Sequence, residues 1–525
     1  MPTSASQQAV LLDTLEQPDC YPHPTNTIER LETHISTVLL AGDYAYKFKK
    51  PVALDFLDFS TLALRQHYCQ EELRLNQRLA PELYLAVVTI TGSPACPAFD
   101  GPGAPIDYAV KMRRFEQTDL LDRRLAEGHL QTAQIDAIAD TIAAFHQALP
   151  AATTASAYGE PPAILATMQA NFEALLPNQS EHDRHTQLVA LQNWTEAEYS
   201  RLQPVLQERQ ATGLIRECHG DMHLANMAWI DDHVTIFDCI DFDPALRWID
   251  VMSELAFVSM DLADRGTPAW AQRLVNRYME QTGDYHGLQV LRFYQVYRAL
   301  VRAKIATIRL QQTAATSTEH DALSAQYQSY VDLAAAYTRP GPTALIITHG
   351  VSGSGKTTLT QSLLEQLGAI RLRADRERKR LAGLPANNRS GDGLNKGLYA
   401  PGMTANTYAH LAEQTALLLQ AGWPVIVDAS FLDAAQRRRF QQLAEDHDIP
   451  FLILDFTAPA EQLRQRIQQR QAIDQDASDA DLTVLEQQLN QYQALAVDEP
   501  ALTVDTSQAR IDAKAIAERV GLPTV

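Results

Sequence analysis

Two short stretches of the chain carry polar residues at spacings that suit phosphoryl transfer. The first, G-x-x-x-x-G-K-T from Gly350, lies between a strand-like apolar segment and a helical one. Glycines let the backbone wrap closely around phosphate oxygens, so that N–H groups and a helix N-terminus face the anion. The lysine adds a cation for the phosphates, and the threonine hydroxyl can bind Mg²⁺. The stretch predicts a nucleotide site formed by Gly350, Ser352, Gly353, Ser354, Gly355, Lys356, Thr357 and Thr358, with Thr357 also a metal ligand.

The second stretch is H-G-D-M-H-L-A-N, which begins at His219 and precedes an apolar strand-like segment ending at Asp238. Phosphoryl transfer needs a carboxylate that accepts a hydroxyl proton, and an amide and a second carboxylate that hold Mg²⁺. Asp221 is the candidate base, and Asn226 and Asp238 are the candidate metal ligands. A polar capping loop, or a metal site built on His219 and His223, is the alternative interpretation.

Residues 33–50 have the pattern of two strands joined by a turn, and a predicted helix follows them. A strand lysine and a helix glutamate in this order resemble the pair that holds phosphates in protein kinases. Lys47 and Glu72 are the first choice for this pair. Lys49 and Glu71 stay open, because the sequence fixes neither strand register nor helix phase.

The last third of the chain, from residue 343, alternates strand-like and helical segments, which predicts a doubly wound parallel sheet. Asp428 ends one apolar strand and is a candidate Mg²⁺ ligand through water. Ala429 follows it, where P-loop motors usually have a water-activating glutamate. This favours transfer to a bound acceptor over ATP hydrolysis for work.

Arginine-rich segments accompany this predicted sheet. In residues 371–380, Asp375 could accept the proton of an acceptor, and Arg378 could hold the acceptor or the transferred phosphoryl group. Guanidinium groups over the phosphates would stabilise developing charge. A second arginine-rich segment could form such a lid over the phosphates, with Arg464 as a nucleotide ligand and Arg466 and Arg470 as catalytic groups. For both segments, the alternative interpretation is a salt-bridged amphipathic helix.

Length and composition bound the class of protein. A chain of 525 residues with 46% hydrophobic and 21% charged residues predicts a globular protein of several domains. Without a long apolar run or a signal-like start, we expect a cytoplasmic protein that makes no membrane contact. A formal charge of -20 disfavours binding of long nucleic acid through the whole surface. Five scattered cysteines without a C-x-x-C pair predict free thiols.

H-G-D-x-H-x-x-N, a carboxylate strand and the helix after Asp250 together resemble the aminoglycoside phosphotransferase, choline kinase and fructosamine kinase group. The resemblance implies a protein-kinase-like bilobal fold, with His219 and Asp250 supporting the catalytic loop. Met112 would lie at the connector that contacts adenine. The segment 35–42 departs from the group's kinase relatives because it lacks G-x-G-x-x-G. The implied roles are Asp221 as base, Asn226 and Asp238 as Mg²⁺ ligands, and Lys47 with Glu72 as the phosphate-holding pair.

The last third resembles P-loop kinases such as gluconate kinase, polynucleotide kinase, zeta toxin and chloramphenicol phosphotransferase. Their acceptors differ widely, so this resemblance selects no substrate. The whole chain is similar to bacterial proteins described as bifunctional aminoglycoside phosphotransferase/ATP-binding proteins. The predicted divisions are a lead-in at 1–27, an N-lobe at 28–115, a helical C-lobe at 116–338, a linker at 339–342 and a P-loop kinase domain at 343–525.

We therefore predict a tandem kinase that uses ATP and Mg²⁺ at two sites and phosphorylates hydroxyl groups of small molecules. One alternative is a P-loop kinase acting on a nucleic-acid end or a nucleotide sugar, with a regulatory amino-terminal half. The basic segment 371–380 keeps a nucleic-acid end open as an acceptor. A second alternative is an ATP-gated switch without catalysis. The sequence does not indicate an oligomeric state.

Overall fold

The computed structural model shows two compact units, each built from several segments of the chain. It describes residues 5–54, 57–153, 156–178, 182–314, 317–339, 341–384, 400–473, 481–508 and 511–524. The first unit contains Met1–Ala137, Ala148–Ala163 and Gln207–Val258. The second contains Ile138–Gln147, Ile164–Leu206 and Ser259–Val525.

The first unit is organised around a six-stranded antiparallel sheet with the order β1-β2-β3-β8-β6-β7. Three two-stranded pairs, β4 with β5, β9 with β12 and β10 with β11, complete its strands. In chain order the strands are β1 (Ile28–Glu32), β2 (Ser36–Ala41), β3 (Tyr44–Lys49), β4 (Ala53–Leu54), β5 (Leu57–Asp58), β6 (Tyr84–Ser93), β7 (Cys96–Phe99), β8 (Pro105–Arg113), β9 (Ile215–Glu217), β10 (Met227–Ile230), β11 (His233–Ile236) and β12 (Trp248–Asp250).

Ten α-helices lie in the described part of the first 337 residues. In chain order they are α1 (Ala5–Leu15), α2 (Leu62–Asn76), α3 (Leu121–Ala126), α4 (Thr132–Ala148), α5 (Pro161–Leu175), α6 (His182–Ala211), α7 (Val251–Asp264), α8 (Pro268–Thr282), α9 (Leu288–Gln312) and α10 (Thr318–Tyr337). The part of α7 up to Val258 belongs to the first unit, and α8 to α10 belong to the second.

The predicted strand–turn–strand pattern is present as β2 and β3. Gly42 at the turn has φ +60°, and a Cβ there would lie 2.7 Å from the carbonyl oxygen of Pro24. Glycine is therefore the residue that fits this turn. Thr61 is the N-cap of helix α2, because its hydroxyl accepts the N–H of Leu64, and the helix packs against β8.

The lead-in is part of the sheet's core, which the sequence did not indicate. Leu11, Leu12 and Leu15 of α1 are buried against Leu39 and Phe48 of the sheet. The side-chain amide of Gln8, also in α1, donates to the carbonyl of Lys49 and to Asp107. Because one helix contributes both apolar and polar contacts to β3, α1 holds the strand that carries the predicted lysines.

The second unit contains a five-stranded parallel sheet with the order β14-β15-β13-β16-β17. Helices on both faces make it the doubly wound sheet that the alternating pattern predicted; β17 was not predicted. Its strands are β13 (Leu345–His349), β14 (Ile370–Arg373), β15 (Val425–Asp428), β16 (Phe451–Thr457) and β17 (Ala501–Asp505). Its helices are α11 (Lys356–Leu367), α12 (Ala374–Leu381), α13 (Pro401–Gln420), α14 (Ala434–Asp446), α15 (Ala460–Ile473), α16 (Leu482–Gln491) and α17 (Ala513–Val520).

Within the second unit, helix α8 contacts β14, and helix α9 contacts the residues just before β15. The side-chain amide of Asn276 donates to the carbonyl of Ala369, and its oxygen accepts the N–H of Arg371 in β14. The indole N–H of Trp423 donates to the carbonyl of Leu288, and the Arg292 guanidinium lies 4.0 Å from the centre of that indole ring. The predicted linker at 339–342 stays a prediction.

Two expectations about composition can be compared with the described residues. The five cysteines are free, and Cys96 is exposed at the surface. Across the described ranges, no helix combines the length and the apolar character needed to cross a bilayer.

Candidate active sites

A buried pair of lysines and a glutamate forms the centre of the first unit's candidate site. Lys47 and Lys49 are two residues apart in β3 and therefore share one face of the strand. Glu72 of α2 receives Lys47 at 2.7 Å and Lys49 at 2.8 Å, one lysine at each carboxylate oxygen. Glu71 instead pairs with Arg74 at 2.8 Å. The helix phase thus places Glu72 inward, and the residue predicted first is the one that meets the lysines.

The two lysines differ in what else they contact. The Lys47 ammonium lies 2.6 Å from Asp238, whose side chain is 48% exposed. The Lys49 ammonium contacts Asp241, and both side chains are buried. Lys47 therefore borders solvent and a candidate metal ligand, whereas Lys49 lies inside the fold. Asp241 was not predicted, although it stands three residues after Asp238 in the same segment.

Burial and charge set the pKa values of this cluster. Burial alone disfavours the Glu72 carboxylate, but Lys47 and Lys49 outweigh it and lower the pKa of Glu72 to about 2. For Lys47, burial opposes the charge, yet Asp238 and Glu72 hold its pKa well above the ordinary value. Burial raises the pKa of Asp241 even though Lys49 is adjacent. At neutral pH, Lys47 is a fixed cation that faces the site.

The candidate base and one candidate metal ligand lie together in the loop that follows β9. The side-chain amide of Asn226 donates to the carbonyl oxygen of Asp221 at 2.9 Å and to its carboxylate at 3.1 Å. The Nε2 atom of His223 lies 3.5 Å from the same carboxylate. Asp221 keeps 35% of its side chain exposed. An oriented, partly exposed carboxylate of this kind can accept a proton from a bound hydroxyl group.

The buried ring of His219 ties this loop to the next strand. Its Nε2 donates to the carbonyl of Phe237 at 2.9 Å, and its Nδ1 accepts the N–H of Asp221 at 3.3 Å. Burial lowers the pKa of His219, which agrees with a neutral ring that donates from one nitrogen and accepts at the other. Both ring nitrogens of His219 are thus engaged in hydrogen bonds and neither can bind a metal ion. The alternative interpretation, a metal site built on His219 and His223, is therefore wrong.

The loop's backbone is held by a residue that sequence reasoning missed. A carboxylate oxygen of Glu254 in α7 accepts the N–H groups of His219 at 2.8 Å and Gly220 at 2.7 Å. Asp250, which was expected to support the loop, forms a two-pronged buried pair with Arg209 at 2.7 and 2.8 Å. The prediction for Asp250 is corrected accordingly. Glu254 stands four residues later, one helical turn on in the same segment.

The β10–β11 hairpin brings the other metal candidate back to the loop. The strands pair from Met227 with Ile236, and the N–H of Phe237 donates to the carbonyl of Asn226. Asp238 then takes φ +63°, a conformation that costs free energy for a residue other than glycine. Its N–H donates to the hydroxyl of Tyr84. This backbone turn presents the Asp238 carboxylate to Lys47.

Met112, the predicted adenine contact, lies in β8 opposite Ala45 of β3. It is partly buried and packs in the apolar cluster that includes Phe115 and Phe237. The rings of Phe115 and Phe237 have centroids 5.4 Å apart. Met112 therefore belongs to an apolar surface that joins the sheet to the segment carrying Asp238. Its contact with adenine stays a prediction.

The glycine-rich turn of the second unit has the backbone that a phosphate site requires. Gly350, Gly353 and Gly355 have φ values of +139°, +82° and +85°. A Cβ on Gly350 would lie 2.7 Å from the carbonyl oxygen of Phe456. Gly355 precedes α11 directly, so the N-terminus of that helix faces the turn. The residues fit a phosphate cradle, because side chains at these glycines would be strained or would fill it.

The predicted lysine and metal ligands meet in this turn. The Lys356 ammonium lies 2.9 Å from the carbonyl of Gly350 and 2.8 Å from that of Val351. The Thr357 hydroxyl donates to the Asp428 carboxylate at 2.6 Å. A hydroxyl and a carboxylate beside a phosphate cradle are the oxygen ligands that Mg²⁺ prefers, so this donor set fits that ion. Thr358 is exposed on the first turn of α11.

Other predicted loop and lid residues have protein partners. The N–H of Ser352 donates to the side chain of Gln488 in α16 at 2.7 Å, so this donor is already in use. Arg466 donates to the carbonyl of Gly353 at 3.3 Å and to Thr506. Arg464 pairs with Glu486 at 2.9 Å. The side chain of Arg470 lies outside the described residues. Of the lid arginines whose side chains are described, Arg466 is the one that contacts the glycine-rich turn.

Part of the basic segment 371–380 points into the fold. Arg371 and Arg376 are buried and both contact the carboxylate of Glu280 in α8. Asp375 keeps 33% of its side chain exposed and lies 3.4 Å from Arg378. The charges of Arg371 and Arg376 are therefore directed at Glu280, and the acceptor of this segment stays a prediction. Asp375 is the partly exposed member of the predicted pair.

Comparison with known proteins finds two family matches along the chain. Residues 59–294 match the family model described as the phosphotransferase enzyme family, and residues 345–495 match the one described as AAA domain. The chain carries a phosphotransferase-family domain followed by a P-loop domain. The predicted protein-kinase-like domain and P-loop kinase domain are therefore confirmed in kind and in order.

The chain is also similar to a relative over most of its length and to solved structures over part of it. An uncharacterized protein of Mycobacterium tuberculosis is 28% identical over 466 residues, which cover 87% of this chain and 90% of that one. A putative kinase of Chloroflexus aurantiacus is 27% identical, covering 34% of this chain and 95% of that one, with a TM-score of 0.27. A choline/ethanolamine kinase family protein of Mesorhizobium loti is 12% identical, covering 64% of this chain and 100% of that one, with a TM-score of 0.37.

Proposed function

We propose that the protein transfers the γ-phosphoryl group of ATP to hydroxyl groups of small-molecule acceptors, at one site in each unit. One observation carries the proposal. In each unit, a carboxylate suited to Mg²⁺ contacts a group suited to phosphate recognition: Asp238 meets Lys47, and Asp428 meets Thr357 of the glycine-rich turn. The family matches support the proposal, since one is to the phosphotransferase enzyme family and the other is to the AAA domain.

In the phosphotransferase-family site, each side chain has a role that its position supports. Lys47, fixed by Glu72, contacts the phosphates, while Asn226 and Asp238 hold Mg²⁺. Asp221 accepts the proton of the acceptor hydroxyl, and its hydrogen bond from Asn226 keeps the carboxylate oriented. Bound Mg²⁺ supplies charge neutralisation on the phosphate oxygens.

In the P-loop site, the backbone N–H groups from Gly353 to Thr357 bind the phosphates. Lys356 exchanges its two backbone carbonyl partners for phosphate oxygens, because an anion is a stronger partner for an ammonium group than a neutral carbonyl. Thr357 and Asp428 hold Mg²⁺. Asp375 accepts the proton of the acceptor, with Arg378 beside it.

A transfer assay on the full chain tests both sites. Purified protein is incubated with γ-labelled ATP, Mg²⁺ and a library of small hydroxylated metabolites, with oligonucleotides included as separate acceptors. We expect Asp221→Asn and Lys356→Ala to abolish the labelling of different acceptors, each by at least about a hundredfold. Asp232→Asn and Lys514→Ala, at exposed positions of the same units, are the matched controls.

The outcome separates the alternatives. Loss of all labelling in either single variant would contradict two independent sites. Labelling of oligonucleotide ends alone, sensitive to Lys356→Ala but not to Asp221→Asn, would favour the nucleic-acid kinase with a regulatory first half. Lys47-dependent and Lys356-dependent ATP binding without transfer to any acceptor would favour the ATP-gated switch.

A further inference from the structure

One buried glutamate of α8 organises the arginines beside the P-loop site. Glu280 lies in the segment that matches the phosphotransferase family, but it belongs to the same compact unit as the P-loop sheet. Its carboxylate is 2.7 Å from Arg371, 3.3 Å from Arg373 and 3.1 Å from Arg376. The Glu280 side chain is only 3% exposed, and burial would raise its pKa, but the three guanidinium groups outweigh burial and lower the pKa to about 2.

Two of these arginines reach the predicted Mg²⁺ ligands. Arg371 donates to the carbonyl of Thr357 at 2.9 Å, at the start of α11. The Nε atom of Arg373 lies 4.0 Å from the same Asp428 oxygen that accepts the Thr357 hydroxyl. Parallel pairing sets Arg373 directly beside Asp428 at the carboxyl edge of the sheet. Arg373 therefore lies between the carboxylates of Glu280 and Asp428 and is closer to that of Glu280.

We infer that Glu280 is a positioning residue of the P-loop site, which holds Arg373 away from Asp428 so that Asp428 can bind Mg²⁺. The inference rests on the proposed function of that site. A guanidinium group is always charged and competes with a divalent cation for a carboxylate. Adjacent strands are about 4.8 Å apart, so Arg373 reaches Asp428 by a small side-chain movement.

The geometry also explains why Glu280, which holds the arginines, lies in a helix outside the sheet. Arg371, Arg373 and Arg376 are three cations that are largely buried, and such a cluster needs a counter-charge. Asp428 is the strand neighbour of Arg373, so an ion pair between these two residues would occupy the predicted metal ligand. Glu280 satisfies the cluster from α8 and leaves Asp428 to Thr357 and the metal ion.

The test is the Mg²⁺ dependence of nucleotide binding by the full chain. A fluorescent ADP is titrated over a range of Mg²⁺ concentrations in an Asp238→Ala background, so that the Mg²⁺-dependent signal reports on the P-loop site. We expect Glu280→Gln to raise the apparent Kd for Mg²⁺ about tenfold, the equivalent of one charge-assisted hydrogen bond. Adding Arg373→Gln to Glu280→Gln should restore the Kd to within about threefold, because the competing cation is then absent.

Two further variants keep the test decisive. Glu365→Gln removes an ion pair between α8 and α11, that of Arg273 with Glu365 at 2.7 Å, and should leave the Kd for Mg²⁺ unchanged. Arg373→Gln alone keeps Glu280 paired with two arginines and should bind Mg²⁺ at least as tightly as the unmodified site. This variant also decides the question if Glu280→Gln does not fold.

Each outcome has one meaning. An unchanged Mg²⁺ dependence in Glu280→Gln, or a failure of Arg373→Gln to restore it, would overturn the positioning role while leaving the proposed function intact. Weaker Mg²⁺ binding in Arg373→Gln alone would overturn it as well, because Arg373 would then support the metal site. Absence of Lys356-dependent nucleotide binding in the Asp238→Ala background would overturn the proposed function and this inference with it.

Discussion

The two strand lysines of the first unit differ in the exposure of their carboxylate partners. Lys47 has a half-exposed partner, Asp238, whereas Lys49 has only buried ones, Glu72 and Asp241. Removing a partner from a buried ion pair typically costs about 3–5 kcal/mol, because a charge is left without compensation. A partly exposed pair is worth much less.

We therefore expect Lys49→Met to destabilise the first unit by about 3–5 kcal/mol and Lys47→Met by less than half of that. In Lys47→Met, Glu72 keeps Lys49 as a partner, so the loss should fall on nucleotide binding. Hydrogen exchange of peptides from α2 measures the stability, and ATP titration in a Lys356→Ala background measures binding. Equal destabilisation by the two variants, or unchanged ATP binding by Lys47→Met, would contradict this assignment.

Residue identities that lie close in sequence were predictable, and those that depend on distant contacts were not. The sequence predicts the pairing of Lys356 with Thr357 and of Asp221 with Asn226, because these residues are only one and five positions apart. The choice of Glu72 over Glu71 depends on the phase of α2, which Thr61 and the packing on β8 set. Glu280 contacts arginines about 90 residues away along the chain, and no local pattern reports such a pair.

At the scale of elements, side chains from helices hold the backbone of the loops at both candidate sites. Glu254 of α7 fixes the N–H groups of the loop at His219, and Gln488 of α16 fixes Ser352 in the glycine-rich turn. Apolar periodicity predicts that such helices exist and which face is buried. It does not predict which polar residue near that face reaches a loop elsewhere in the chain. Both supporting residues were therefore missed.

The helix α1 is the clearest element whose role sequence reasoning missed, since the lead-in was assigned no chemistry. Leu11 is fully buried under the sheet, and Val10 beside it is 48% exposed. We expect Leu11→Ala to destabilise β2 and β3 by about 2–5 kcal/mol, because it removes a packed side chain and leaves a cavity.

The matched variant Val10→Ala should change stability by no more than about 0.5 kcal/mol. Hydrogen exchange of peptides covering β2 and β3 distinguishes the two. Equal and small effects of both variants would show that α1 does not stabilise the strand that carries Lys47.

At the scale of the whole molecule, each unit contains a buried glutamate that basic partners hold ionised. Glu72 in the first unit and Glu280 in the second both have a pKa lowered from 4.5 to about 2. A carboxyl group with a lowered pKa in the folded state stabilises that state above its unfolded pKa. The stabilisation disappears as pH falls from about 4.5 towards about 2, where the folded state must also be protonated.

Acid should therefore weaken both units through these two residues. We expect Glu72→Gln and Glu280→Gln to be less stable than the unmodified chain near neutral pH, since each leaves basic side chains without a counter-charge. The difference in the free energy of unfolding should shrink as pH falls below about 4.5, because the unmodified glutamates then lose their own contribution. Urea denaturation at neutral pH and at about pH 3, followed by circular dichroism, measures the difference. A difference that stays constant over this range would show that the two carboxylates do not owe their stabilising effect to ionisation.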